Sequence, residues 1–317
     1  MRTCVLTCLM ALLMTHSQVA LAQVDASGKE NGNSFGLKLS VDEVNLTFHA
    51  ADASGMPVND LKLEEFGILD EGRTPRRVVG FQLLQDAPIR GGMLMDTSES
   101  MTDHVARDRA ISIKYAEHML RQKADRGFLM EFGYTSNVMT PWTSDSKVLA
   151  SGIRNVAAGK QNPLGGTALF DALFQACFSE FSKVDHAASG NFILLFSDGQ
   201  DNASRTSLRE VVDMCQRSDT AVYVFHSTSG TQLYSSGPKT LRELAEQTGG
   251  RVFNADDSDA YIDSDLGIIE SELRNLYRVI YNPAELKRNG MFHRIELHTP
   301  ERVATISVRS GYYAPDR

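Results

Sequence analysis

The chain has 317 residues, a formal net charge of −8 and 42% hydrophobic residues. That length suits one large or two modest domains, and the apolar content supports a packed core rather than global disorder. The acidic balance, with no Arg/Lys stripe interleaved with aromatics, argues against nucleic acid or an anionic membrane as a partner.

Residues 1–22 read as a signal peptide. Arg2 precedes a mostly apolar run to Met14, and Ala20-Leu21-Ala22 is a small-x-small cleavage pattern. Thr15, His16, Ser17 and Gln18 interrupt the run, which is too short for a membrane anchor. No Cys follows Ala22, so a lipid anchor is not indicated. Nothing downstream approaches about 18 consecutive apolar residues, so the mature chain is expected to lack an integral membrane segment. The expected location is secreted or periplasmic, in a bacterial envelope.

Residues 23–36, rich in Gly, Ser, Asn, Lys and Glu, read as a flexible linker. Residues 37–87 read as the first part of a small β module. Leu37, Leu39 and Val41, then Val44, Leu46 and Phe48, alternate with one phase slip of the kind a β-bulge makes. Strands at 67–70 and 77–81 flank Glu71-Gly72, which predicts a hairpin.

From residue 88 to 275 the rhythm is strand-helix alternation, which predicts a doubly wound, mainly parallel α/β sheet covered on both faces. A helix after Asp103 should bury Ala106, Ala110, Ile113 and Leu120. Pro141 suits the extended segment 138–142 to a sheet edge. Further helices are expected at 146–156, 168–182, 206–217, 239–247 and 259–275. Strands are expected at 127–132, 191–196, 221–225 and 251–253. Residues 276–317 return to strands too few to fold alone, so the α/β domain is expected to be inserted in, or flanked by, one β-sandwich-like module.

Within the α/β domain one stretch carries chemistry. Met93-Leu94-Met95 is an apolar run ending at Asp96, followed by hydroxyls at Ser98 and Ser100. A strand that stops at a carboxylate delivers it to the sheet rim, where open α/β folds bind ligands. A second apolar run, 192–196, leads through Ser197 to Asp198-Gly199, and Gly165-Gly166-Thr167 puts a hydroxyl at a helix start. Two carboxylates with three hydroxyls suit a hard divalent cation. The blander alternative is a set of helix caps and turns.

Asp96, Ser98, Ser100, Thr167 and Asp198, in that order, resemble the metal-ion-dependent adhesion site of von Willebrand factor A (VWA) domains. The full layout resembles the acidobacterial "VWFA-related" secreted proteins, with the tail Ser310-Gly311-Tyr312-Tyr313-Ala314-Pro315 included. A departure is Glu99, where D-x-S-G-S usually has Gly. The resemblance implies Mg²⁺, with Mn²⁺ or Ca²⁺ as alternatives. It implies that Ser98, Ser100 and sometimes Thr167 ligate directly, Asp96 and Asp198 often through water. The ion is then left open to the Asp or Glu carboxylate of a partner protein. The implied function is metal-dependent protein binding, not catalysis.

Two other readings stand beside it: a metal-dependent hydrolase or phosphotransfer enzyme, and a scaffold with a vestigial site. A haloacid-dehalogenase-type nucleophile at Asp96 would need Asp where Ser98 stands. No G-x-S-x-G, H-E-x-x-H or phosphate-loop pattern occurs. Cys177 and Cys215, the two cysteines left after signal cleavage, sit among apolar residues at helical spacing and are expected to be buried thiols on separate helices.

Overall fold

The computed structural model describes residues 43–159, 165–183, 190–227 and 236–315. The expected signal peptide, the linker and the first half of the 37–50 strand lie outside the described residues.

The larger sheet grows from the two apolar runs read above. β4 (Ile89–Asp96) and β7 (Gly190–Ser197) pair in parallel, because consecutive buried residues need cover on both faces. β5 (Arg126–Phe132), β6 (Ser136–Thr143), β8 (Thr220–His226) and β9 (Val252–Asn254) complete the order β6-β5-β4-β7-β8-β9. Every neighbouring pair is parallel except β5 and β6. Side chains alternate between the faces: Met93, Met95, Phe192, Leu194 and Phe196 enter one core, and Leu94, Ile193 and Leu195 the other. α1 (Val105–Met119), α2 (Ser146–Arg154) and α6 (Asp259–Arg274) close the first core. α3 (Leu169–Gln175), α4 (Leu208–Arg217) and α5 (Gly237–Thr248) close the second. The α/β doubly wound fold is therefore as expected.

The expected buried face of α1 holds only in part: Ile113 and Leu120 pack against the first core, half-buried. Ala106 and Ala110 are exposed; Asp108, Ile111, Ser112, Tyr115, Ala116 and Met119 are buried. Two polar residues inside the true face hide its period, and small alanines on the outer face imitate one.

The remaining strands make two antiparallel sheets. β1 (Val44–Ala51), β3 (Arg77–Gln85), β10 (Asn275–Asn282) and β12 (Thr305–Val308) are ordered β12-β1-β10-β3. β2 (Gly67–Asp70), β11 (Phe292–His298) and β13 (Gly311–Tyr313) are ordered β13-β11-β2. Leu46, Phe48, Tyr277 and Val279 of one sheet share a single core with Ile68, Ile295 and Tyr312 of the other, making a sandwich. The hydroxyls of Tyr281 and Tyr312, one from each sheet, both donate to buried Asp70, at 2.9 and 3.0 Å.

The predicted hairpin about Glu71-Gly72 is not formed. The reversal is present, with Asp70 and Arg73 exchanging backbone hydrogen bonds and both turn residues at positive φ. The chain then crosses between sheets: β2 pairs with β11, and β3 with β10. Turn chemistry specifies a reversal, and the two apolar faces of a sandwich decide which strands pair.

One buried carboxylate secures both crossings between the sandwich and the α/β unit. Asp125 accepts the amides of Ile89, where β4 starts, and of Arg121 and Gln122 after α1. It also pairs with Arg274, the last residue of α6, at 2.9 Å. Arg274 further donates to the Met119 carbonyl at 2.9 Å, and α6 runs into β10 with no intervening loop. The seam between the units is polar: Arg251 and Ser307 converge on Glu272, and Thr47 and Arg278 on Asp219.

Cys177 and Cys215 are buried and on separate helical segments, but they are bonded to each other. This overturns the expectation of free thiols. Cys177 follows α3 in a five-residue π turn, Ala176–Glu180, and Cys215 lies on α4; their Cα atoms are 5.1 Å apart, inside the bridging range. Two apolar helical faces packed together are what brings the sulfurs into contact, a separation that spacing along the chain does not contain.

Candidate metal centre

Parallel register explains the site. Met95 pairs with Phe196, so β4 and β7 end side by side, and Asp96, which closes β4, and Asp198, which directly follows β7, emerge at the same rim. Both are 1% exposed. One oxygen of Asp96 accepts the Ser98 amide at 2.9 Å, and the other accepts the Ser197 hydroxyl at 2.8 Å. Ser197 in turn accepts the Gly199 amide at 3.0 Å, and Asp198 accepts the Gln200 amide at 3.0 Å. Gly199 has φ +78°, and a Cβ there would fall 2.6 Å from the Gly237 carbonyl, so the loop after Asp198 can lie against α5 only with glycine.

Ser98 and Ser100 stand at the start of a 3₁₀ turn, Glu99–Met101, with their hydroxyls 3.2 Å apart. Met101, fully buried, pins that turn to the core. Thr167 comes from the opposite side. Its amide donates to the Asn202 side chain at 2.8 Å, and its carbonyl accepts the amides of Asn202 and Ala203. Gly166, with φ +86°, lets the backbone approach Asn202 closely. The Asp201 carboxylate accepts the Phe170 amide in the first turn of α3, and the Asp171 carboxylate accepts the Thr206 amide in return. These reciprocal ties hold the Thr167 loop against the loop that follows Asp198.

The three loops enclose an open cleft of about 700 Å³, whose wall includes Ser98, Ser100 and Thr167. Asp96 and Asp198 are buried and do not line it. Of the five residues predicted, the structure therefore puts three hydroxyls at the cleft wall and two carboxylates at adjacent strand ends. Among the described residues no group of three or more His, Cys, Asp or Glu is placed to hold a metal. A cation here would rest on the mixed set of hydroxyls and carboxylates.

That set fits a hard cation. Burial pushes the Asp96 carboxyl up to about 6, against the opposing hydrogen bonds from Ser98 and Ser197, with Asp198 adding to the rise. A dication removes that penalty by neutralising charge that burial disfavours.

Two further residues escaped sequence reasoning. Ser197, fully buried, links the two strand ends through Asp96; its signal was a hydroxyl directly before Asp198. Asp108, on the buried face of α1, accepts the Ser227 hydroxyl at 3.3 Å. Burial pushes its carboxyl up to about 7, and Asp256 and Asp96 add to the rise. No sequence motif marks it.

Residues 93–200 match the family model for the von Willebrand factor type A domain, a span that contains all five predicted site residues. This segment is a VWA domain. No curated protein matches the chain. Solved structures with similar folds include BatB from Bacteroides thetaiotaomicron, at 16% identity and TM-score 0.47, over 57% of this chain and 97% of that one. The vWF domain of the type V pili tip protein Mfa5 from Porphyromonas gingivalis aligns at 12% identity and TM-score 0.47, over 58% and 96%. Proximal thread matrix protein 1 from the mussel byssus, with a zinc-occupied MIDAS motif, aligns at 12% identity and TM-score 0.49, over 65% and 50%. The VWA domain thus accounts for about a third of the chain by family match, and the sandwich lies outside that match.

Proposed function

We propose that this protein is a secreted or periplasmic binding module. A divalent cation, Mg²⁺ or alternatively Mn²⁺ or Ca²⁺, is held by Ser98, Ser100 and Thr167, with Asp96 and Asp198 orienting its waters. The cation captures an Asp or Glu carboxylate of a protein partner. The observation that carries this reading is the layering of the site: hydroxyls on the cleft wall, carboxylates buried at adjacent strand ends. Neutral ligands leave a hard cation under-neutralised and receptive to an outside carboxylate. This is binding chemistry and needs no nucleophile. The Cys177–Cys215 bond supports an oxidising compartment, in line with the signal-peptide pattern at residues 1–22.

The test is calorimetric titration of Mg²⁺ and Mn²⁺ into wild type, Asp96→Ala, Ser197→Ala and Thr167→Ala, each checked for native circular dichroism. Asp96→Ala should weaken the cation most, because Asp96 is the carboxylate beside both serines. Thr167→Ala, losing one neutral ligand, should be milder, and Ser197→Ala intermediate. Capture of a carboxylate-bearing peptide should vanish with EDTA and return with Mg²⁺. Equal cation affinity in folded wild type and Asp96→Ala would reject the site. Peptide capture indifferent to chelator would make the metal structural and favour the scaffold reading.

A further inference from the structure

Glu99 stands between Ser98 and Ser100, exposed, and lines the same cleft as they do. Glu131, from β5, lines it as well. Among the described residues the cleft wall carries these two carboxylates and neither Lys nor Arg; Tyr134, 37% exposed, lines it as well. The charge balance has a consequence for the ligand. A dication with Asp96 and Asp198 sums to zero. A partner carboxylate then brings one negative charge up beside Glu99. Like charges brought together disfavour binding, and complementary ones select partners.

We propose that the partner segment recognised here pairs its metal-seeking Asp or Glu with a neighbouring Lys or Arg, and that Glu99 is the residue that selects the basic side chain. The inference rests on the metal-dependent reading given above and names the ligand class for that site. Glu131 is already engaged within the chain, so selection is assigned to Glu99. Tyr134, which lines the same cleft, offers the cation's stem an aromatic surface. Glu99 takes no part in this account as a metal ligand.

The experiment uses the mature chain, saturated with Mg²⁺, and fluorescent peptides with one central Asp. The neighbours of that Asp are Lys or Arg in one set, Gln in a second and Glu in a third. Wild type should bind the basic set about fivefold more tightly than the Gln set, the size expected of one exposed ion pair. The Glu set should be weakest, and the spread should shrink as salt rises. Glu99→Gln should abolish the preference for basic over neutral neighbours, and Glu99→Lys should reverse it. Both variants are compared with wild type at saturating Mg²⁺, because losing a negative charge beside the site weakens the dication somewhat by itself. Equal binding of all three sets, or a preference unchanged in Glu99→Gln, overturns the proposal and leaves the metal reading standing. A Mg²⁺ affinity about tenfold weaker in Glu99→Gln makes Glu99 a ligand and overturns it too. Failure of every peptide to bind Mg²⁺-loaded wild type sinks the carboxylate-capture reading, and this inference with it.

Discussion

Replacing Cys177 and Cys215 together by Ala removes a bond that closes a loop across 38 positions of the chain. In the chain-entropy treatment, closing a loop of that length restricts the unfolded state by about 4 kcal/mol at 25 °C. A unit of this size shifts by somewhat under about 2 °C per kcal/mol, so the thermal midpoint should fall by roughly 6–7 °C. Alanine is the right replacement because both positions are fully enclosed in the second core, where a serine hydroxyl would add a desolvation cost of its own. The measurement is thermal and urea unfolding at fixed pH of the double variant, of oxidised wild type and of wild type held in reductant. The last two differ in the bond and in nothing else, so their gap isolates it. Mass mapping after denaturation, without reduction, should find neither cysteine alkylated. Full alkylation of both, or a gap below about 1 kcal/mol, would refute the reasoning.

Two other predictions follow from buried charge. Asp108 is lifted by burial from 3.8 to about 7, so its protonated form is favoured in the folded state. The associated stability is fully present below pH 3.8, the unfolded value, and is lost as pH rises through about 7, up to about 4 kcal/mol in all. Asp108→Asn should therefore flatten that decline, and a wild-type stability that does not fall between pH 5 and 8 relative to the variant would contradict it. Asp125→Ala should cost about 3 kcal/mol by urea unfolding, because it removes the closer of the two carboxylates paired with Arg274, 4% exposed, and leaves only Glu270 at 3.5 Å. A loss within about 1 kcal/mol would show that the pair is not enclosed as described.

What could be read from the sequence was whatever depends on local pattern. A parallel strand covered on both faces needs consecutive apolar residues, so 93–95 and 192–196 announced themselves, and the acidic residues that end them marked the rim. What depends on contacts between distant segments could not be read. The turn at Glu71-Gly72 says nothing about which sheet receives the next strand. The buried face of α1 is disguised by Asp108 and Ser112, polar residues whose burial is made tolerable by partners elsewhere in the fold. The tie from Ser197 to Asp96 spans 101 positions, and the capping of α3 by Asp201 spans 31. Short strands such as β13 carry too few residues to show a period at all.

The cleft and the two chain crossings lie at opposite poles of the large sheet, and this has a mechanical meaning. β4 ends at Asp96 under the cleft and begins at Ile89 beside the sandwich, with the Asp125–Arg274 pair bolting that lower end. Tension applied between anything bound at the cleft and the sandwich would run along β4. It meets β5 on one side through seven paired positions and β7 on the other through seven more. Such a pull loads those ladders in shear, so that many hydrogen bonds must give way together rather than one after another. A load arriving through α6 passes straight into β10, since no slack loop separates them, and spreads over β1 and β3 on its two flanks.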